Sequence, residues 1–166
     1  MYRVAQFEKV SREQFNMDWE DTFPGAENPY DLLKMPRRAT AGSAGYDFHA
    51  PLDFELKPGE TIKIPTGMRA RIEEGWALLI YPRSGLGFKF RLQLNNTVGV
   101  IDSDYYGAKN EGHIFIKITN DSNEGKTLKL AAGEAFAQGI FTPFGITIDD
   151  DADGVRIGGF GSTTNR

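Results

Sequence analysis

With 166 residues, 40% of them hydrophobic, the chain suits one domain with a real core and leaves room for an appendage. A net charge of −4 argues against a nucleic-acid protein, which would show a basic face, but not against a small anionic ligand held in a local cationic pocket. The absence of cysteine excludes disulfides and thiolate chemistry, and two histidines, His49 and His113, are too few for a typical histidine metal site.

Residues 1–37 read as an N-terminal arm. Ser11-Arg-Glu-Gln14 resembles a capping box, and Phe15 and Trp19 follow at helical spacing, which predicts a short helix over 11–20. A loop through "TFPGAENP" comes next, and "YDLLKM" (30–35) predicts a further helical turn before Pro36. From Arg38 onward the chain reads as short strands broken by turn signals. "DFELKPGETIKIPTGMRARI" gives a strand, a Pro-Gly turn, then alternation through Ile62, Ile64, Met68, Ala70 and Ile72. "WALLIYP" is a short apolar strand, "FRLQLNN" and "HIFIKITN" alternate, and "TLKLAAGEAFAQGIFTPF" reads as strand, glycine turn, strand. Many short strands at close spacing predict an all-β barrel or sandwich over 38–148. Residues 149–166 read as a polar linker and a flexible, glycine-rich C-terminal arm.

Several segments carry candidate chemistry. "AGSAGYD" (41–47) ends a glycine-rich turn in an acid. In "YPRSGLG" (81–87), Arg83 offers a planar fork for phosphate, and Ser84 with the amides of Ser84, Gly85 and Leu86 offers an anion nest; an ordinary strand-end turn fits the segment equally well. In "GVIDSDYYG" (99–107), Asp102 and Asp104 face the same way if the chain stays extended. In the tail, Arg156 and Phe160 are unusual for a mere linker and suit phosphate binding and base stacking by a closing arm. Asp149, Asp151, Asp153 and Gly154 match the start of a calcium loop, but Phe160 stands where its last glutamate should be, so this stretch reads as a solvated linker.

Taken in order, "AGSAGYD", "PRSGLG", "NNTVGVIDSDYYG", "GEAFAQGIF" and "RIGGFGST" resemble the five motifs of the trimeric dUTPase family, across roughly residues 38–164. With its N-terminal arm and the long segment at 108–126, the chain is similar to the enlarged forms of Gram-positive bacteria and their phages. The resemblance implies a jelly-roll-like distorted β-barrel, a homotrimer with shared active sites, and hydrolysis of dUTP to dUMP and pyrophosphate with Mg²⁺ on the triphosphate. It implies that Asp102 activates the attacking water and that Asp47 holds the metal through its water shell. Arg83, Ser84, Gly85 and Gln138 would bind phosphates. Asn96, Gly99 and the backbone up to Tyr105 would read uracil, and the Tyr105 ring would pack under the deoxyribose and exclude UTP. Arg156 would grip the γ-phosphate, Phe160 would stack on uracil, and Gly161, Ser162 and Thr163 would complete the lid. Asp104 and Tyr106 would be structural. The chain departs from the family at Ala135, where an arginine is usual, in the four-residue step from Arg156 to Phe160, and in its closing "GSTT". Two rivals remain: a dCTP deaminase, which shares the fold, and a sensing or partner-binding protein that keeps the dUTP pocket and uses the arm (1–37) and the 108–126 segment. No run approaches membrane length and no signal-peptide pattern is present, so the expected location is the cytoplasm, with no membrane or nucleic-acid partner.

Overall fold

The computed structural model describes residues 1–156 together with Gly158 and Gly159; the expectations for Phe160, Gly161, Ser162 and Thr163 lie outside the described residues. In chain order the elements are β1 (Ala5–Lys9), α1 (Arg12–Thr22), a 3-10 turn (Tyr30–Leu32), β2 (Arg37–Arg38), β3 (Tyr46–His49), β4 (Phe54–Leu56), β5 (Thr61–Pro65), β6 (Met68–Ile72) and β7 (Trp76–Pro82). There follow α2 (Ser84–Phe90), β8 (Leu92–Leu94), β9 (Gly99–Ile101), a second 3-10 turn (Ser103–Gly107), β10 (Phe115–Asn120), β11 (Leu128–Leu130) and β12 (Ala135–Pro143).

The mostly-β expectation is met. The described strands form a five-stranded sheet, β2-β3-β12-β7-β9, a three-stranded sheet, β5-β10-β8, and the pairs β1-β6 and β4-β11, every pairing antiparallel. They do not close into a barrel: the five-stranded sheet ends at β2 and β9. Alternation fixes the register. Ile64 lies opposite Ile116, and Ile62 and Leu94 flank Ile118, so a slip of one residue would turn this apolar face to solvent. Ile64, Ile116 and Ile118 are buried with Phe48, Leu78, Ile80 and Phe136 in one core.

The structure adds to the expected elements and corrects one of them. Ahead of the helix, the N-terminal arm holds a strand not expected from the sequence: β1 pairs along β6 from Ala5↔Ile72 to Lys9↔Met68. The "PRSGLG" turn is the start of α2, so the strand expected over 90–96 begins only at Leu92; Phe90 and partly buried Leu86, four residues apart, turn one face of α2 to the core. The 108–126 segment has as its centre the strand expected from "HIFIKITN": β10, between β5 and β8, with Ile114, Ile116, Ile118 and Asn120 buried. Only its ends remain as candidate partner surface.

The helix forms as expected and packs rather than floats. Ser11 caps α1 by accepting from the Gln14 amide at 3.1 Å. Phe15 and Trp19 stack at 5.4 Å and, with Val10, make a small second core beneath Phe23, Tyr30, Leu33 and Leu52. The β5–β6 turn closes against them at Gly67, whose φ of +74° and contact with Leu33 and Phe15 leave no room for a side chain. Among the described residues no helix is long and apolar enough to cross a membrane.

Candidate functional site

The β12 strand builds the first half of the site. It runs between β3 and β7, with Gln138 opposite both Asp47 and Tyr81, and Ala137 opposite Pro82. Directly opposed residues project from the same face, so Asp47 and Gln138 stand side by side, and Arg83 enters from the end of β7. The Arg83 Nε lies 3.2 Å from Asp47 Oδ1, and Gln138 Nε2 donates to the Pro82 carbonyl at 3.1 Å. The glycines of "AGSAGYD" have a local reason here: a Cβ at Gly45 would run into Gln138 Oε1. Together Ser43, Gly45, Asp47, Arg83, Ser84 and Gln138 line a cavity of about 350 Å³. Gly85 follows Ser84 in the first turn of α2, which has no side-chain cap. The expected three-amide nest is reduced, because the Leu86 amide donates to the Arg83 carbonyl at 3.1 Å; the Ser84 and Gly85 amides are the ones left at the helix start.

The second half surrounds the β8–β9 turn, whose two strands pair with β10 and β7 rather than with each other. Thr97 takes the left-handed conformation (φ 66°) at its tip, and the Val98 amide donates to the Asn96 carbonyl at 2.7 Å. Asn96 and Gly99 line a cavity of about 420 Å³ with an apolar floor including Ile80, Leu94 and Ile101 and a polar rim including Lys63, Asn95, Asn110 and Lys117. Of these rim residues, none was singled out from the sequence; Lys63 and Lys117 are the polar halves of alternating strands and carry no motif. A side chain at Gly99 would press on Ile80, with Cβ atoms 3.2 Å apart.

Immediately after β9 comes Asp102. The chain does not stay extended through Asp104: Asp102 precedes a 3-10 turn closed by the Tyr105 amide donating to the Asp102 carbonyl at 3.2 Å. The two carboxylates still converge, because both meet Arg156. Its Nη2 donates to Asp102 Oδ2 at 2.5 Å and its Nε to Asp104 Oδ1 at 2.7 Å. The same guanidinium lies over the Tyr105 ring, 5.8 Å from its centroid. Tyr105 is 2% exposed, and burial pushes its phenol up to about 12, so the hydroxyl keeps its proton at neutral pH. Tyr106 is held apart from this cluster: its hydroxyl donates to Glu8 at 2.8 Å and accepts from Arg71 at 2.8 Å, which fits a structural residue.

The predicted residues therefore gather in two places. Asp47, Arg83, Ser84 and Gln138 share one cavity; Asn96 and Gly99 share the other, with Asp102, Tyr105 and Arg156 clustered beyond β9. The two cavities have no lining residue in common. Among the described residues no three His, Asp or Glu side chains gather as a metal cage.

The mostly-β scaffold thus carries an arginine-bearing polar cavity and a separate apolar cleft with a polar rim. The chain belongs to the dUTPase family, whose model matches residues 31–164. It is 42% identical over 134 residues to the deoxyuridine 5'-triphosphate nucleotidohydrolase of Lactococcus lactis subsp. lactis, covering 79% of this chain and 88% of that one. To the same enzyme of Laribacter hongkongensis it is 41% identical over 138 residues, covering 78% and 88%. Among solved structures, a dUTPase from Streptococcus mutans superposes with a TM-score of 0.62 at 34% identity, covering 85% of this chain and 97% of that chain. A dUTPase from phage phi11 of S. aureus shares the fold, with a TM-score of 0.63 at 22% identity, covering 92% and 97%. Gram-positive and phage forms are thus among its neighbours, as the N-terminal arm and the long 108–126 segment suggested.

Proposed function

We infer that the protein hydrolyses dUTP to dUMP and pyrophosphate. The observation that carries this reading is strand β9: it lays Gly99 and Ile101 along the apolar cleft and delivers Asp102 directly after them, so an acid stands a fixed step from a nucleoside-sized space. In this reading Asp102 accepts a proton from a water as that water attacks the α-phosphorus. The new P–O bond forms, the bond to the bridging oxygen of the β-phosphate breaks, and pyrophosphate leaves. Arg83, the Ser84 hydroxyl and amide, the Gly85 amide and Gln138 stabilise charge on the phosphate oxygens. Asn96, Gly99 and the backbone of the β8–β9 turn read the uracil edge, where cytosine would oppose donor to donor. The Tyr105 ring supports the deoxyribose and leaves no room for a 2′-hydroxyl. For that to happen Arg156 must leave the Tyr105 face and Asp102, and it finds its new partner in the γ-phosphate as the arm, with Phe160, Gly161, Ser162 and Thr163, closes.

A magnesium ion fits as cargo of the triphosphate rather than as an ion in a protein cage. Asp47 is a single carboxylate with its side chain 18% exposed, suited to hold a hydrated ion through water. When bound, Mg²⁺ would neutralise charge on the triphosphate and the departing pyrophosphate.

The separation of the two cavities supports a homotrimer in which the halves from different copies complete each site. The exposed apolar side chains of Phe88, Val100, Phe144, Ile146 and Ile148 are candidates for the surface that such copies cover. Pyrophosphate release from dUTP, with dCTP, dTTP and UTP in parallel, tests the reaction. Release from dUTP alone, lost in Asp102→Asn, is expected; ammonia from dCTP would mark a deaminase, and no release would leave a binding protein. Light scattering tests the trimer.

A further inference from the structure

The 108–113 loop grips Tyr105 from two sides. The Tyr105 hydroxyl donates to the His113 carbonyl at 2.6 Å and accepts from Asn110 Nδ2 at 2.8 Å. Its one proton is committed to His113, so only a donor such as the Asn110 amide can occupy the other side. The loop also presses on the backbone beneath the ring: a Cβ at Gly112 would lie 2.7 Å from the Tyr105 carbonyl oxygen, and Gly112 has a φ of +70°.

Distant contacts hold the loop itself. Glu111 is left-handed (φ 58°), a conformation unfavourable for a non-glycine residue that persists where its surroundings over-determine it. Those surroundings are Ser11, the cap of α1, whose amide donates to Glu111 Oε2 at 2.7 Å and whose hydroxyl donates to Oε1 at 2.6 Å. His113 is fully buried. Its Nε2 accepts from the Gly67 amide at 2.8 Å, so Nδ1 carries the proton and donates to Asp18 of α1 at 2.5 Å. Burial pushes the Asp18 carboxyl up, but hydrogen bonds from His113 and Gln14 outweigh it and hold it below its ordinary value.

We propose that Asn110, on a loop latched to α1 through Glu111 and His113, is a positioning residue that sets sugar specificity by fixing the Tyr105 ring. This rests on the reading of Tyr105 as the deoxyribose support. Exclusion of a 2′-hydroxyl depends on a ring that cannot retreat, since a few tenths of an ångström decide whether one oxygen fits. The N-terminal helix, which touches neither cavity, thereby acts on substrate choice.

The test is the ratio of kcat/KM for dUTP to that for UTP, measured with melting temperature on the full chain. Asn110→Ala is expected to lower the ratio about fivefold, the scale of one neutral hydrogen bond, and Glu111→Ala about threefold. In a Tyr105→Phe background, Asn110→Ala should change the ratio by less than about twofold, because the two substitutions break the same contact. An unchanged ratio in both single variants, whatever their melting temperatures, would overturn the proposal; so would an undiminished Asn110→Ala effect in the Tyr105→Phe background. Wild-type protein that hydrolyses dUTP and UTP alike would overturn the role of Tyr105 and this proposal with it. Wild-type protein that releases pyrophosphate from neither would instead overturn the hydrolase reading.

Discussion

The Arg156 guanidinium is bound to Asp102 at 2.5 Å and to Asp104 at 2.7 Å, with its side chain only 13% exposed. The arginine expected on phosphate thus rests on the acid expected to handle the attacking water. In the proposed reaction this pairing must exchange carboxylates for phosphate oxygens on each turnover. Guanidinium bonds to carboxylate and to phosphate are both charge-assisted, so the exchange swaps one strong pairing for another once triphosphate is present. Arg156→Ala is expected to raise KM for dUTP at least about tenfold. Asp102→Asn is expected to lower kcat by about 100-fold or more while dUTP still binds. Steady-state kinetics with direct titration of a non-hydrolysable analogue separates the two effects.

Gly45 gives a sharper probe of the phosphate cavity. A methyl there would overlap Gln138 Oε1, the tip of a side chain that can swing away. Gly45→Ala should therefore cost less than about 1 kcal/mol of stability, as surface-level changes do, yet raise KM several-fold by pushing Gln138 out of the cavity. Gly42→Ala, where a Cβ meets nothing within 4 Å, is the matched control. Urea denaturation and KM for each variant check the split.

Acid stability should depend on Glu111. Hydrogen bonds from the Ser11 hydroxyl and amide hold its carboxyl below the ordinary 4.5. A carboxyl with a depressed folded pKa contributes stability above its unfolded pKa and loses it as pH falls through the folded one. The contribution is therefore complete at neutral pH and disappears below 4.5. Glu111→Gln should flatten the acid limb of a stability-versus-pH curve, with denaturant midpoints taken between pH 3 and pH 7 as the measurement.

Substitution at Gly67 should be far more disruptive than its position in a turn suggests. Its positive φ and the pressure of Leu33 and Phe15 act together, so Gly67→Ala is expected to cost at least about 2 kcal/mol. The loss should appear as a lower denaturant midpoint with α1 contacts loosened first, visible in Trp19 fluorescence.

Elements whose own side chains carry the period were legible in the sequence. Ile62 and Ile64, then Ile116 and Ile118, announce β5 and β10 because each strand buries one face. β1 was not legible: "AQFEK" offers Phe7 and little else, and its register is set by backbone pairing to β6. Helix α2 was hidden by Gly85 and Gly87, whose turn signal is overridden when Phe90 docks in the core. For the site, the order of the motifs pointed to the family that residues 31–164 match. The backbone at Asp104 was not legible: a 3-10 turn stands where the extended chain was one option. Asn110, Glu111 and His113 had no local signal at all, since Ser11 and Asp18, which hold their loop, lie near the other end of the sequence.

The placement of β12 also bears on how the protein comes into being. Because it is inserted between β3 and β7, the antiparallel neighbours that set Asp47 beside Gln138 are not in contact until residues 135–143 have left the ribosome. Pairings that span so much of the chain form slowly, after loop closure has been overcome. A nascent chain stalled before Ala135 would expose β3 and β7 as open edges, the surfaces on which strands of other chains add. Phosphate affinity would then arrive late and abruptly in synthesis, with the last long strand, rather than accumulating as each motif emerges.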